Sequence, residues 1–213
     1  MSETGITTLF LDVGGVLLTN GWDRHARARA SERFGLDHDD FDERHHQYVR
    51  GYEAGKYDID EYLTYVVFHK ERTFTREAFR KFMFAQSEAL PGMKDLMLRL
   101  KGRHGLKVCA VSNESRELTE YRIRAFGLMD LFDVFVASCF AGVAKPDLDI
   151  YRLALDVTQV RPDEVVYLDD RSLFIEVGRG LGLHGIHHTD IDKTRAALAN
   201  LGLDDADDAQ GES

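Results

Sequence analysis

Five short runs, at residues 7–13, 106–112, 134–138, 164–168 and 184–188, constrain this chain more than any other feature. They are near-continuous apolar stretches rather than alternating ones, the pattern of strands buried on both faces of a parallel sheet. Helical patterns follow at 93–103, 116–126, 147–156, 174–181 and 192–201. Strand–helix alternation of this kind implies right-handed crossovers and an α/β fold built on a doubly wound parallel, Rossmann-like sheet.

The alternation breaks once. From residue 22 to residue 89 there is no strand signal, only amphipathic helix patterns at 23–34, 39–52, 59–69 and 76–89. Asp58 with Glu61 forms a capping-box start for the third, and Thr75 caps the fourth. The chain therefore divides into an α/β core domain (1–18 and 91–203) and an inserted four-helix cap domain (19–90). Gly and Pro punctuate the expected hinges at 19–21 and 90–92. A cap over a sheet edge can close a site against water.

Composition narrows the class. The 213 residues carry a net charge of −10, which argues against nucleic acid as a partner, since phosphate backbones are met by clustered Lys and Arg. Half of that charge sits on Asp204, Asp205, Asp207, Asp208 and Glu212, so 204–213 reads as a disordered acidic tail. No apolar run approaches the roughly 20 residues that cross a bilayer, and the first residues lack a signal-peptide pattern. Cys109 and Cys139 lie in apolar stretches that read as strands, as reduced core thiols. A cytoplasmic protein without a membrane partner is the expectation.

Ligands of open α/β sheets sit beyond the carboxyl ends of the strands. The first strand ends in Asp12-Val13-Gly14-Gly15-Val16, the second in Ser112-Asn113 and the fourth in Asp169-Asp170, and Lys145-Pro146 follows the third. An ionised carboxylate can displace at phosphorus and form an aspartyl-phosphate, which suits Asp12. Carboxylate and phosphate repel, so a hard cation must stand between them; magnesium takes few carboxylates and several waters. Asp12 and Asp170 can supply two ligands, with Asp169 buttressing. Lys145 offers compact positive charge to the transferring group, from extended backbone ahead of a helix starting at Pro146. Ser112 and Asn113 offer hydrogen bonds to phosphoryl oxygens. The expected activity is hydrolysis of a small phosphomonoester.

The ordered set Asp12-Val13-Gly14-Gly15-Val16, Val111-Ser112-Asn113, Ala144-Lys145-Pro146 and Tyr167-Leu168-Asp169-Asp170 resembles the haloacid dehalogenase-like (HAD) superfamily, over essentially the whole chain to about residue 190. The resemblance implies Asp12 as nucleophile and Mg2+ ligand, Ser112 and Lys145 on phosphate, and Asp170 on Mg2+. It also implies a metal bond from the Gly14 backbone carbonyl and a helical cap. Within the superfamily the chain is similar to the capped group that includes α-glucose-1-phosphate phosphatases.

One position departs from that pattern. Most phosphatases of the superfamily carry a second Asp, a general acid, two residues after the nucleophile; here it is Gly14. General acid catalysis is worth about 10²–10⁴-fold. Three readings stand open: the substrate's leaving group needs little protonation, another group such as a cap His or a water donates the proton, or the chain is a catalytically weakened binding protein. A haloacid dehalogenase-type hydrolase is the rival enzyme, but it works without magnesium and has no use for Asp169-Asp170.

Other residues carry less. His25, His38, His45, His46 and His69 read as a solvated cap surface, and Arg50 and Lys56 as an exposed pair, with reach from the cap towards substrate as the alternative. Phe79, Phe82 and Phe84 read as cap core, and His184, His187 and His188 as structural. Glycines 178, 180 and 182 fall within and after a helix, not between strand and helix, which removes a dinucleotide-loop reading.

Overall fold

The computed structural model describes residues 5–205. Strand β1 (Thr8–Leu11) leads into four helices, α1 (Arg24–Phe34), α2 (His38–Glu53), α3 (Ile59–Val66) and α4 (Arg76–Phe84). Then come α5 (Met93–His104), β2 (Lys107–Ser112), α6 (Arg116–Ala125), β3 (Val134–Ala137) and the short α7 (Ser138–Ala141). The chain ends with α8 (Leu148–Thr158), β4 (Val165–Asp169), α9 (Ser172–Gly180), β5 (His184–His187) and α10 (Ile191–Asn200).

All strand neighbours pair in parallel, in the order β3-β2-β1-β4-β5. This is the expected α/β architecture, a doubly wound sheet with four helices inserted after its first strand. The apolar runs are continuous because both faces of β1 are covered. Leu9 and Leu11 join a cluster with Met97 and Leu100 of α5 and Leu198 of α10, whereas Phe10 joins Tyr151 and Ala154 of α8 and Ile175 of α9. Strand order reverses between β1 and β4, which opens a crevice at their carboxyl ends.

The inserted helices start where their caps dictate. Asp23 accepts from Ala26 N, Asp58 and Glu61 complete a capping box, and Thr75 accepts from Ala78 N. Two of them stop early. Helix α3 ends at Val66, and α4 ends at Phe84 because residues 86–90 turn back along 17–19. There Thr19 N donates to Glu88 O (2.8 Å), Leu90 N donates to Leu17 O (2.9 Å), and Leu18 bridges Ala89 antiparallel. Arg122 of α6, 1% exposed, clamps both connections: it donates to Ser87 Oγ and Thr19 O, each at 3.0 Å, and pairs with Glu114. Gly21, at φ 65°, lies against that guanidinium, and a Cβ there would overlap it.

The insert has a core of its own. Phe79 is fully buried, with Trp22, Phe34, Phe41 and Phe74 ring centroids 5.0–6.2 Å away. Phe82 and Phe84 are only partly buried at its margin, and Phe84 stacks on Tyr121 of α6.

Four expectations need correction. His45 is not a solvated surface residue: it is buried, and its Nδ1 lies 2.8 Å from the Tyr62 hydroxyl, a partner that α3 alone supplies. Cys139 sits in the helical turn α7 rather than in a strand, although both cysteines are free and buried. Helix α8 begins at Leu148, because the Asp147 side chain caps it, and not at Pro146. Asp204 and Asp205 belong to no disordered tail, since Arg103 pairs with Asp204 and Arg99 and Arg195 pair with Asp205. The rest of that expectation, 206–213, lies outside the described residues. Among the described residues no helix is long and apolar enough to cross a membrane.

Truncating Phe79 to Ala removes the residue on which the insert's aromatic rings converge. It should cost about 3–5 kcal/mol, read as a loss of stability on urea unfolding followed by tryptophan fluorescence, since Trp22 packs on that ring. A change under 1 kcal/mol would show that the insert's core does not depend on it.

Candidate active site

The carboxyl ends of β1, β2 and β4 and the loop after α7 meet at one point. Asp12 follows β1, Ser112 ends β2, Asp169 ends β4, and Lys145 enters from the loop. The Lys145 side chain is completely buried, with Nζ 3.1 Å from Asp12 Oδ2 and 2.6 Å from Asp169 Oδ2. An ammonium this deep survives only if paired. Asp169 is committed to holding it. Its Oδ2 also accepts from the Tyr167 hydroxyl and its Oδ1 from Arg171 N at 2.9 Å.

Asn113 takes part indirectly. Its Nδ2 donates to Lys145 O (2.8 Å) and its Oδ1 accepts from Lys145 N (2.7 Å), so most of its amide is spent fixing the Lys145 backbone. One N–H of its amide remains for a ligand.

Asp12 Oδ1 accepts from Val13 N at 2.7 Å. Burial pushes the Asp12 carboxyl up, and the Lys145 ammonium opposes that. Ligand oxygens of Asp12, Asp169 and Asp170 all lie within 4.8 Å of one another. Three carboxylates against one ammonium leave two negative charges in a desolvated corner, which a divalent cation would balance. Asp170 fits that part. Its Oδ2 accepts from Asn20 Nδ2 at 3.0 Å, while its Oδ1 is buried with no hydrogen-bond partner in the described residues. Gly15, at φ 73°, cradles that carboxylate, and a Cβ there would overlap it. The Gly14 carbonyl accepts no hydrogen bond from the described residues. The donor set of oxygens, one of them orphaned, suits a hard cation such as magnesium.

Of these groups, Asp12, Gly14, Ser112, Asn113 and Lys145 form the floor of a cavity of about 1000 Å³. Its walls include residues of the insert that sequence patterns left unmarked, notably Glu53 at the end of α2, together with Arg171 just beyond β4. Glu53 looks in sequence like any Glu on an amphipathic helix; the only local signal is the Gly55 turn after it. Arg50 does reach the cavity, whereas Lys56 does not line it. His45 lines it too, but burial lowers it to about 3, with Arg27 and His46 adding to the effect, so it is neutral near pH 7. At Gly14 a Cβ would stand 3.2 Å from Asn20 Oδ1 and 3.7 Å from Arg122 Nη1, so a larger residue there requires Asn20 to yield.

Comparison with known proteins follows the same lines. Residues 6–182 match the model of the family described as haloacid dehalogenase-like hydrolase. A 113-residue stretch is 36% identical to bifunctional epoxide hydrolase 2 of Sus scrofa, over 51% of this chain and 20% of that one. A 97-residue stretch is 31% identical to the phosphorylated carbohydrates phosphatase of Thermotoga maritima, over 46% of this chain and 44% of that one. The chain thus spans less than half the length of either relative. The magnesium complex of a HAD family enzyme from Bacteroides thetaiotaomicron superposes with a TM-score of 0.74 at 21% identity, over 87% of this chain and 94% of that one, a likeness of fold.

Replacing Gly15 with Ala tests the cradle. Beyond about 1–2 kcal/mol for a left-handed non-glycine, it should displace Asp170 and cut divalent-cation affinity about 10–100-fold, measured by isothermal titration calorimetry. Unchanged affinity would show that Gly15 does not set the Asp170 position.

Proposed function

Because the chain belongs to the haloacid dehalogenase-like hydrolases, we propose that it is a magnesium-dependent phosphatase that hydrolyses a small phosphomonoester through an aspartyl-phosphate on Asp12. The observation that carries this reading is the cluster of three carboxylates, Asp12, Asp169 and Asp170, of which the first two pair with a single buried ammonium. A phosphorylated carbohydrate, the substrate class named for the Thermotoga maritima relative, is the class we favour.

Asp12 Oδ attacks phosphorus in line with the ester oxygen; the new O–P bond forms as the ester O–P bond breaks. Lys145 and the Ser112 hydroxyl hold the phosphoryl oxygens, with the remaining Asn113 N–H beside them. Asp169 serves Lys145, fixing the ammonium while Tyr167 and Arg171 N fix Asp169. Magnesium would be held by Asp12, Asp170 and the Gly14 carbonyl, with Asp169 in support. Its charge would let an anionic nucleophile approach an anionic phosphate. Water then attacks phosphorus of the Asp12 acyl phosphate; the O–P bond to Asp12 breaks, releasing inorganic phosphate and returning the carboxylate. Residues 19–90 act as a cap domain over this site, hinged at 19–21 and 90–92.

A dehalogenase remains the competing reading, and Asp170 weighs against it. A buried carboxylate oxygen without a hydrogen-bond partner, beside the nucleophile, suits a cation that halide displacement does not need.

A panel of phosphomonoesters and 2-haloacids, each with magnesium and with EDTA, separates the two. Phosphate should be released only with magnesium. Asp12→Asn should lose about 10⁴-fold or more in kcat with its circular dichroism unchanged. Asp170→Asn should raise the magnesium requirement more than Asp169→Asn, which should instead weaken phosphate binding by releasing Lys145. Metal-independent turnover of a 2-haloacid would overturn the reading.

A further inference from the structure

We propose that Glu53, from the inserted helix α2, is the general acid and base of this site, occupying the chemical role that Gly14 leaves vacant. The inference rests on the phosphatase reading and deepens it.

In-line displacement sends the leaving oxygen away from Asp12, off the floor of the cavity and towards the walls furnished by the insert. Glu53 lines that cavity together with Asp12, Ser112 and Lys145. Its carboxyl makes no hydrogen bond or ion pair within the described residues, in a site where the other acids are engaged. Asp169 is saturated, Glu114 is tied to Arg122, and Asp170 is turned to Asn20 and the cation corner. Of the cap histidines at the cavity, His45 is held by Tyr62 and uncharged near pH 7.

Glu53 belongs to the insert, yet the core fixes its place. Ser138 Oγ, at the end of β3, donates to Glu53 O at 2.7 Å and accepts from Glu114 N at 2.9 Å. Two residues on, Gly55 at φ 69° presses on the Cys139 carbonyl so closely that a Cβ would overlap it. Helix α2 thus ends docked on the sheet edge with Glu53 over the strand ends.

The surroundings set its protonation. Burial, first, and the carboxylates of Glu114 and Asp12 raise it, while Arg171 and Arg27 oppose them; Tyr62 of α3 also faces it. Arg50 and His46 share its helix and the cavity. The balance brings it up to about 7, where an acid can both give and regain a proton. In the first step the Glu53 proton passes to the ester oxygen as the O–P bond breaks, leaving an alcohol and a Glu53 carboxylate. In the second, that carboxylate takes a proton from the water that attacks phosphorus. Inorganic phosphate departs, Asp12 is freed, and Glu53 is protonated again.

The test is kcat/KM for wild type and Glu53→Gln on 4-nitrophenyl phosphate, phenyl phosphate and a primary alkyl phosphate, with magnesium, from pH 5 to 9. Glu53→Gln should lose about 10²–10⁴-fold on the alkyl ester and less than tenfold on 4-nitrophenyl phosphate, whose leaving group needs no proton. Wild-type turnover of the alkyl ester should fall above about pH 7, because Glu53 is then ionised. That limb should be missing with 4-nitrophenyl phosphate and in the variant. An equal loss on all three esters, or an alkyl-ester limb that persists in Glu53→Gln, would overturn the assignment. Should the variant not fold, the wild-type profiles decide alone: a limb confined to the poor leaving group supports Glu53, and its absence refutes a donor titrating there. A wild type inert towards every ester would overturn the phosphatase reading and this step with it.

Discussion

The site depends on burying one ammonium. Lys145 has no solvent, and the cost of stripping water from it is offset only because Asp12 and Asp169 both stand within 3.1 Å. That requirement reaches far into the fold. Asp12 and Asp169 meet because β1 and β4 are neighbours in the sheet, in a register that pairs Leu11 with Leu168. Lys145 arrives only because Asn113, at the end of β2, grips its backbone from both sides. Three strands and a loop converge to settle one charge, and the excess of carboxylate left over is what suits the corner to a cation.

The same bookkeeping separates the acids by task. Asp169 has both oxygens hydrogen-bonded, one to Lys145 and Tyr167 and the other to Arg171 N. Asp170 has one satisfied oxygen and one orphan, the configuration of a ligand without its ion. Glu114 is neutralised by Arg122 and serves the connections to the insert rather than the cavity. Among the described acids, Glu53 alone combines partial burial with an uncommitted carboxyl. Four kinds of environment assign four kinds of duty to chemically similar side chains.

What could be read from sequence divides on physical lines. The strand-end residues Asp12, Ser112, Asp169 and Asp170 were legible because a parallel sheet brings strand ends together whatever the details of packing. Two of the four inserted helices, α3 and α4, followed from their caps, whose hydrogen bonds are local, and the other two from amphipathic patterns. Features set by distant partners were not legible. Burial of His45 depends on Tyr62, 17 residues on, and the indirect part of Asn113 depends on a loop 32 residues away. Helix α4 was expected to run to Ala89 because nothing local shows that 86–90 would pair with 17–19. Glu53 was silent for the same reason: its carboxyl gains meaning only where α2 docks on β3.

The insert is joined to the core at two places of unequal strength. At the neck, backbone hydrogen bonds between 17–19 and 88–90 are reinforced by the buried Arg122, which binds both connections and leaves no room beside Gly21 for a Cβ. Where α2 meets β3, the attachment is a Ser138 hydrogen bond and the Gly55 contact, with Glu117 accepting from Ile59 N at 3.1 Å nearby. Breaking a neutral hydrogen bond such as that of Ser138 costs about 0.5–1.5 kcal/mol, less than stripping the partners from a buried guanidinium. Separation of insert from sheet therefore costs least at the edge that carries Glu53 and most at the neck. The uncommitted carboxyl of Glu53 is thus held at the cavity by the weaker of the two attachments, whereas Asp12 is fixed by the sheet itself, its N–H donating to Leu168 O.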